Sequence, residues 1–347
     1  MSQFLRPNIL AMAGYTPGEQ PRDGVFVKLN TNENPYPPSP RVLEAIQKVI
    51  ADDRLRKYPD PVGRHFCQTA GRVLGVDPDS ILIGNGSDDI LTIVTRAFVP
   101  EGGQIVSPTP SYILYRTLAE IQNARHQSVP FTADWQLPRP WPVRDAFLTF
   151  LPNPNSPSGT MISLAELERL ADESSGPVVL DEAYVDFAEF NGLSLVGRKN
   201  VIVTRSLSKS YSLAGIRFGF AVAEPAVIRE FIKIKVSYNC DLLSLAAAAA
   251  ALEDQGYRQS THSRILATRT RLTAALTKLG FDVTPSQSNF VWCRRSDRPV
   301  KPIYEELKRR LILVRYMNYE HYGDGLRITV GSDAEVDKLF EELTRLL

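Results

Sequence analysis

The sequence has few of the residues and runs that mark secreted, metal-binding or membrane-spanning proteins. Its three cysteines, Cys67, Cys240 and Cys293, are far apart and form no C-x-x-C pair, so neither a disulfide framework nor a zinc site is expected. Its four histidines show no metal-ligand spacing. No apolar run approaches the roughly 18 residues of a membrane span, and the N-terminus lacks the apolar core of a signal peptide. These absences predict a cytoplasmic protein without a metal site or a membrane partner.

The sequence also has no large excess of positive or negative charge. The chain carries 40 Lys and Arg against 39 Asp and Glu, and no basic run is long enough to attract nucleic acid. Its 347 residues exceed one ordinary hydrophobic core, which favours two domains. Neither a nucleic-acid partner nor an anionic membrane is therefore expected.

The composition and the hydrophobic pattern divide the chain into three parts. Residues 1–40 are rich in Pro, Gly and Asn and predict an extended arm, which the apolar Val25, Phe26, Val27 and Leu29 would dock on a larger body. Residues 41–245 alternate apolar strands with amphipathic helices, and residues 246–347 predict a smaller α+β domain. We expect the arm to pack on the small domain and on the functional site.

The alternating part predicts an α/β fold with a mostly parallel sheet flanked by helices, because its strands are apolar throughout. Residues 225–275 predict continuous helix, and residues 311–315 predict one strand of the small domain. Ligands of such sheets bind beyond the carboxyl ends of the strands. The polar loops that follow the strands are therefore expected to converge on one site.

One of these loops carries a lysine among hydroxyls. The apolar strand at 201–204 leads into Ser206, Ser208 and Lys209, and Arg217 follows eight residues after the lysine. The upstream apolar strand ends at Asp181. A lysine for a covalent bond to an aldehyde, hydroxyls and an arginine for a phosphate, and a buried carboxylate for a pyridinium nitrogen are what pyridoxal 5'-phosphate (PLP) needs. The simpler alternatives are a solvated loop lysine and an aspartate paired with a structural arginine.

Further candidates lie in neighbouring loops. Gly86, Ser87 and Asp88 begin a helix, capped by Ser87 or Asp88, whose N–H groups could bind phosphate, although a plain turn with a cap would look the same. Tyr112 could stack on an aromatic ring, and Tyr184 or Asn155 could contact the ring oxygen.

Together these motifs resemble fold-type I PLP-dependent aminotransferases, and the resemblance runs from end to end. The motifs that carry it are Asn32-Glu33-Asn34-Pro35, Tyr58-Pro59-Asp60, Gly86-Ser87-Asp88-Asp89, Pro110-Ser111-Tyr112, Asn153-Pro154-Asn155-Ser156-Pro157-Ser158-Gly159, Asp181-Glu182-Ala183-Tyr184, Ser206-Leu207-Ser208-Lys209, Leu213-Ala214-Gly215-Ile216-Arg217 and Leu326-Arg327-Ile328-Thr329-Val330-Gly331. Each motif is weak alone, whereas their order and spacing are specific.

The resemblance implies a role for each candidate. Lys209 would bond to the cofactor, Asp181 would pair with its ring nitrogen, and Tyr112 would lie on its ring face. Tyr184 and Asn155 would contact the ring oxygen, and the phosphate would be held by Ser206, Ser208, Arg217 and the Gly86-Ser87-Asp88 turn. Tyr58 would reach the phosphate in the partner subunit of a homodimer. The anionic end of the substrate would be bound by Arg327, Arg315 and Tyr15. Many relatives have Asn where this chain has Ser156, so Asn155 is expected to supply the amide.

Within the family the chain is similar to the enzymes that act on histidinol phosphate. The resemblance implies ping-pong transamination of L-histidinol phosphate with 2-oxoglutarate, giving imidazole acetol phosphate and glutamate in histidine biosynthesis. Aromatic amino-acid aminotransferases and a threonine-phosphate decarboxylase share the motifs and remain alternatives. A non-catalytic binding protein would not be expected to retain Lys209, Asp181 and Arg217 together, and an NAD-binding protein would carry a glycine fingerprint that is absent after the first strand.

Overall fold

The computed structural model describes residues 2–14, 19–20, 24–198 and 200–347. The α-helices in these residues are α1 (Pro7–Ala11), α2 (Pro40–Ala51), α3 (Arg64–Leu74), α4 (Ser87–Phe98), α5 (Leu114–Gln122), α6 (Leu164–Glu173), α7 (Pro225–Ile234), α8 (Leu242–Glu253), α9 (Gln255–Lys278), α10 (Lys301–Arg309) and α11 (Asp333–Leu346). The strands are β1 (Val27–Lys28), β2 (Ile81–Gly84), β3 (Gln104–Thr109), β4 (Arg125–Pro130), β5 (Leu148–Pro152), β6 (Val178–Asp181), β7 (Val201–Ser206), β8 (Gly219–Val222), β9 (Asp282–Thr284), β10 (Phe290–Arg294), β11 (Ile312–Leu313), β12 (Arg315–Tyr319) and β13 (Gly323–Thr329).

The largest sheet has seven strands in the order β2-β8-β7-β6-β5-β3-β4. Strands β3 to β7 pair in parallel, and β8 pairs antiparallel with both β7 and β2. Strands β5, β6 and β7 are buried at every position because both faces are covered. The predicted fold class, a mostly parallel sheet flanked by helices, is confirmed.

Side chains of β6 alternate between two hydrophobic cores, as a period of two requires. Val178 and Leu180 belong to the core that includes residues of α3, α6 and α8. Val179 belongs to the core on the other face, which includes residues of α4, α5 and α7. Asp181 therefore ends the strand on the same face as Val179, toward α5.

The second sheet is antiparallel, in the order β12-β13-β10-β9. Its core contains residues of α9, α10 and α11, such as Leu272, Leu307 and Leu339. The apolar arm residues contact this part of the molecule: Val27 pairs in parallel with Ile312, and Leu29 is 1% exposed. The arm residue Val25, by contrast, is exposed.

Two predicted elements differ from the structure. The continuous helix expected over 225–275 is three helices, because the chain breaks at 235–241 and Asp241 caps α8 through the N–H of Ser244. The single strand expected at 311–315 is two, since β11 pairs with the arm and β12 pairs with β13. A local cap thus decides the first case, and strand partners in tertiary structure, which periodicity does not report, decide the second.

The start of α4 also differs from the sequence-based expectation. The residue that precedes the helix is Gly86, with φ of 83° and no side-chain cap, so Ser87 and Asp88 are the first helical residues rather than its caps. The N-terminal N–H groups of α4 therefore donate no hydrogen bond to an N-cap side chain. Among the described residues, no helix is both long and apolar enough to cross a bilayer.

Candidate active site

A cavity of about 730 Å³ opens where the parallel strands end. The predicted residues that line it are Ser87, Asp88, Tyr112, Asp181, Tyr184, Ser206, Ser208, Lys209, Arg217, Arg315 and Arg327. Gly86, Asn155 and Tyr58 are not among its lining residues, and Tyr15 lies outside the described part of the chain. Residues predicted on six separate segments are thus brought to one cavity of the size that small-molecule sites have.

Lys209 is held by the arm. Its Nζ donates to the carbonyl oxygen of Thr31 at 3.2 Å, and its own carbonyl oxygen accepts from Asn34 Nδ2 at 3.1 Å. The lysine nitrogen also lies 5.8 Å from the centre of the Tyr184 ring. The loop is tightened by the N–H of Ser208, which donates to Ser206 Oγ at 3.1 Å. The lysine amine therefore faces the cavity from a loop whose geometry depends on residues 31–34.

Asp181 is a buried carboxylate, 5% exposed. Tyr115 Oη donates to its Oδ2 at 2.7 Å, and Thr204 Oγ1 and the N–H of Ala183 donate to its Oδ1, each at 3.3 Å. Burial raises the pKa of Asp181 from 3.8 to about 6, against the opposing effect of the Tyr115 hydrogen bond. Within the described part of the chain, no lysine or arginine forms an ion pair with it. A cationic N–H ligand would supply the missing countercharge.

The two candidates for a ring oxygen differ in what they can donate. Tyr184 Oη accepts from Asn32 Nδ2 at 2.9 Å, which leaves its own hydroxyl hydrogen as a donor. Asn155 Nδ2 donates to the carbonyl oxygen of Pro110 at 3.2 Å and to Ser158 Oγ at 2.8 Å, so both amide hydrogens have acceptors within the protein. Its Oδ1 is buried and has no hydrogen-bond partner among the described residues.

The turn before α4 allows close approach of the Arg217 guanidinium because Gly86 has no Cβ. A Cβ on Gly86 would lie 2.7 Å from Arg217 Nη2, and a Cβ on Gly219 would lie 2.4 Å from the backbone nitrogen of Ser87. Arg217 Nη2 is 3.6 Å from Asp88 Oδ2. Uncapped N–H groups at a helix start, an arginine, and the hydroxyls of Ser206 and Ser208 together form a donor set that suits a phosphate.

Two arginines face each other across strands β12 and β13. Arg315 is the antiparallel partner of Arg327, so their Cβ atoms are neighbours on one face of the small sheet. Arg327 Nη1 donates to Ser156 Oγ and Nη2 donates to the carbonyl oxygen of Asn30, each at 2.9 Å. Adjacent like charges repel unless an anion lies between them, so this end of the cavity favours an anionic group.

Tyr58 is 82% exposed and stacks on Tyr238 with ring centres 4.5 Å apart. Val236, in the same break between α7 and α8, is 67% exposed. The residue predicted to contact a second subunit thus belongs to an exposed aromatic pair with an exposed apolar neighbour.

Sequence reasoning missed Tyr115 and the role of the arm backbone. Tyr115 lies three residues after Tyr112 and is 0% exposed, and a tyrosine on the apolar face of a predicted helix signals a buried hydroxyl that needs an acceptor. For the arm, the residue that could have indicated a defined backbone conformation is Asn32. It takes a left-handed φ of 58°, which asparagine tolerates better than most residues. Among the described residues, no group of three or more His, Cys, Asp or Glu could hold a metal ion.

A family model described as aminotransferase class I and II matches residues 25–343. The chain belongs to this family, and its fold is that of the fold-type I enzymes. The predicted family and enzyme class are therefore confirmed.

Named relatives give a narrower comparison. A curated Rhodopirellula baltica protein named histidinol-phosphate aminotransferase is 52% identical over 336 residues, which cover 96% of this chain and 92% of that protein. Histidinol-phosphate aminotransferase 1 of Trichormus variabilis is 45% identical over 350 residues, covering 100% of both chains. The crystal structure of histidinol-phosphate aminotransferase from Sinorhizobium meliloti in complex with pyridoxal-5'-phosphate superimposes with a TM-score of 0.88 at 28% identity, covering 99% of this chain and 98% of that chain.

Proposed function

We propose that this chain transfers the amino group of L-histidinol phosphate to 2-oxoglutarate, with PLP bound at Lys209. The products are imidazole acetol phosphate and glutamate, and the reaction belongs to histidine biosynthesis. The observation that carries the substrate assignment is the register that sets Arg315 opposite Arg327 at the cavity. The full-length relatives that carry this enzyme name favour it over the aromatic aminotransferases and the threonine-phosphate decarboxylase.

The cavity fits PLP by the chemistry of its donors. Asp181, which lacks a cationic partner in the described part of the chain, would hold the protonated ring nitrogen, and Tyr112 would cover the ring face. Ser206, Ser208, Arg217 and the N–H groups after Gly86 would hold the phosphate, and Tyr184 would donate to the ring oxygen. Asn155 at the ring oxygen stays a prediction. When bound, the cofactor supplies an electron-withdrawing ring that makes the substrate Cα–H acidic.

The reaction then needs a base at the substrate carbon. Lys209 is the candidate, because it lines the cavity and because the acceptor of its Nζ among the described residues is the carbonyl oxygen of Thr31, at 3.2 Å. A neutral amine can take a proton from carbon and return it elsewhere, which is general acid–base catalysis by one group. The carbonyl oxygens of Thr31 and Asn30 position Lys209 and Arg327 from the same arm segment.

Arg327 and Arg315 would bind the phosphate of histidinol phosphate and the carboxylates of 2-oxoglutarate in turn. A planar guanidinium pairs in the same fork geometry with either group, so one site can serve both half-reactions. Tyr15 would join them from the arm. The hydrogen bond from Arg327 Nη2 to the carbonyl oxygen of Asn30, another arm residue, supports this proposal.

The assembly is proposed as a homodimer in which Tyr58 reaches the phosphate in the partner subunit. Support comes from the exposure of the Tyr58–Tyr238 pair. We also propose the division into an arm (1–40), a large domain (41–245) and a small domain (246–347), and a cytoplasmic location. Sedimentation of the wild type and a Tyr58→Phe variant, with PLP titration of both, tests the dimer: a monomer that binds PLP fully would contradict it.

Steady-state kinetics with 2-oxoglutarate and three donors, histidinol phosphate, phenylalanine and tyrosine, test the substrate. We expect the largest kcat/KM for histidinol phosphate. A value more than about tenfold below that for phenylalanine would overturn the assignment, since that ratio measures differential transition-state binding. Arg327→Gln should raise KM for histidinol phosphate and for 2-oxoglutarate together, whereas Arg116→Gln, which removes an exposed guanidinium that pairs with Glu120 on α5, should change neither strongly.

Absorbance spectroscopy tests whether Lys209 bonds covalently to PLP. The wild type with PLP should show a visible band that borohydride fixes covalently, and Lys209→Ala should lose both the covalent link and transamination. Lys233→Ala is the matched control, because Lys233 pairs with Glu230 on the exposed face of α7. Failure of the wild type to take up PLP would reject the proposed function.

A further inference from the structure

Tyr115 joins two of the residues proposed to contact the cofactor. Its Oη donates to Asp181 Oδ2 at 2.7 Å, and its ring meets the Tyr112 ring edge to face, with centres 5.7 Å apart and planes at 87°. The Tyr115 ring also stacks on Phe150, with ring centres 4.7 Å apart and planes at 11°. The side chain is fully buried, so each of these contacts is made away from bulk water.

Of the donors to Asp181 in the described part of the chain, the hydroxyl of Tyr115 is the closest. The other two, Thr204 Oγ1 and the N–H of Ala183, are both at 3.3 Å and share the opposite oxygen. A buried carboxylate without a cationic partner depends on such hydrogen bonds to stay ionised. Burial and the nearby Asp181 raise the pKa of Tyr115 well above its ordinary value, so the hydroxyl keeps its proton and remains a donor throughout the physiological range.

We infer that Tyr115 is a positioning residue for the cofactor ring, which it serves by keeping Asp181 ionised and turned toward the ring nitrogen while its ring fixes the orientation of Tyr112. This inference rests on the proposed function, since an ionised Asp181 supports binding only of a ligand with a cationic ring nitrogen. The plain alternative is a core tyrosine that uses Asp181 as a convenient acceptor. The two differ in whether the hydroxyl matters to the ring nitrogen.

The affinity for PLP distinguishes the inference from this alternative. Full-length wild type and Tyr115→Phe, freed of cofactor, are titrated with PLP and with an analogue whose ring nitrogen is replaced by C–H. Tyr115→Phe keeps the aromatic ring and its packing and removes only the hydroxyl. We expect about tenfold weaker PLP binding, equivalent to about 1.4 kcal/mol, and less than about a twofold change for the analogue, whose C–H makes no ion pair with Asp181.

A double-mutant cycle gives a second readout. If Tyr115 acts through Asp181, Asp181→Asn and the double variant Asp181→Asn/Tyr115→Phe should bind PLP equally well, because the hydroxyl no longer supports a carboxylate. Additive losses would contradict the inference. Thr204→Val removes the weaker donor and is the matched control, with an expected loss of PLP affinity smaller than that of Tyr115→Phe.

Other outcomes are also decisive. Equal losses of PLP and of the analogue in Tyr115→Phe would show that the tyrosine acts through packing alone and would overturn the inference. Unchanged PLP affinity in Tyr115→Phe, with normal binding by the wild type, would overturn it as well and leave the proposed function intact. If wild type binds neither compound, the proposed function itself fails.

Discussion

Two adjacent carboxylates at the end of β6 are both buried, yet they are satisfied in different ways. Glu182 has a fully buried side chain that pairs with Arg205 Nη2 at 2.8 Å and accepts from the N–H of Gly192. Asp181 has donors but no ion pair in the described part of the chain. Burial raises the pKa of both carboxyls, and the Arg205 charge opposes this for Glu182 alone.

The difference follows from the alternation of the strands. Asp181 is the register partner of Thr204 on β7, so both side chains lie on the face toward α5. The next residues, Glu182 and Arg205, point to the other face, where they neutralise each other inside the protein. A buried pair completed by the protein is structural, whereas a buried carboxylate that lines a cavity without a cation is prepared for a cationic ligand.

Glu182→Gln should have the largest effect on stability. Among the described residues, it leaves only Asp186, at 3.9 Å, to compensate the charge of the buried Arg205 guanidinium. We expect a loss of about 3–5 kcal/mol in the free energy of unfolding, measured by urea denaturation of the cofactor-free chain. Glu168→Gln, which removes a half-exposed pair with Arg198, is the control and should cost less than about 1 kcal/mol. Equal losses in the two variants would remove the distinction between the carboxylates.

Asp181→Asn should act in the opposite direction on the cofactor-free chain. A pKa raised from 3.8 to about 6 corresponds to up to about 3 kcal/mol at 1.36 kcal/mol per pH unit. Because the shift is upward, the favourable contribution of the protonated acid is full below about pH 3.8 and is lost as pH rises through about 6. The variant should therefore be more stable than wild type at pH 8, with a gain that shrinks toward pH 5. A destabilised variant at pH 8 would contradict this assignment.

PLP affinity should depend on pH through Asp181. Below about pH 6 the free carboxyl is protonated and cannot pair with a ring N–H, so affinity should fall by up to about tenfold per pH unit. The phosphate of PLP titrates in the same range. For this reason the quantity to measure is the ratio of wild-type to Asp181→Asn affinity between pH 5 and 8. A ratio that does not change with pH would show that ionised Asp181 is not what binds the cofactor.

Thr204→Val should have the smallest effect. Its hydroxyl lies 3.3 Å from Asp181 Oδ1, a long contact that a second donor, the N–H of Ala183, duplicates. We expect PLP affinity within about threefold of wild type, below the range of a well-formed hydrogen bond to a charged group. A loss larger than that of Tyr115→Phe would reverse the proposed order of the donors to this carboxylate.

Much of the site was predictable because its residues follow apolar strands. The strands β6 and β7 are visible in the sequence as runs of apolar, mostly β-branched residues, and Asp181 is the last residue of β6 whereas Lys209 follows three residues after β7. Tyr115 was not predictable in its role, because its acceptor is 66 residues away along the chain. The same holds for Thr31, whose carbonyl oxygen meets Lys209 across 178 residues.

The sequence by itself determined the fold class, the alternation of strands and helices that predicts it and the residues with reactive side chains, since these follow from hydrophobic periodicity and local chemistry. Only the tertiary structure decided which face each carboxylate takes and what surrounds it. Sheet register places Asp181 beside Thr204 and under Tyr115, while Glu182 turns to Arg205. The charge left without an internal partner thus depends on contacts between distant segments.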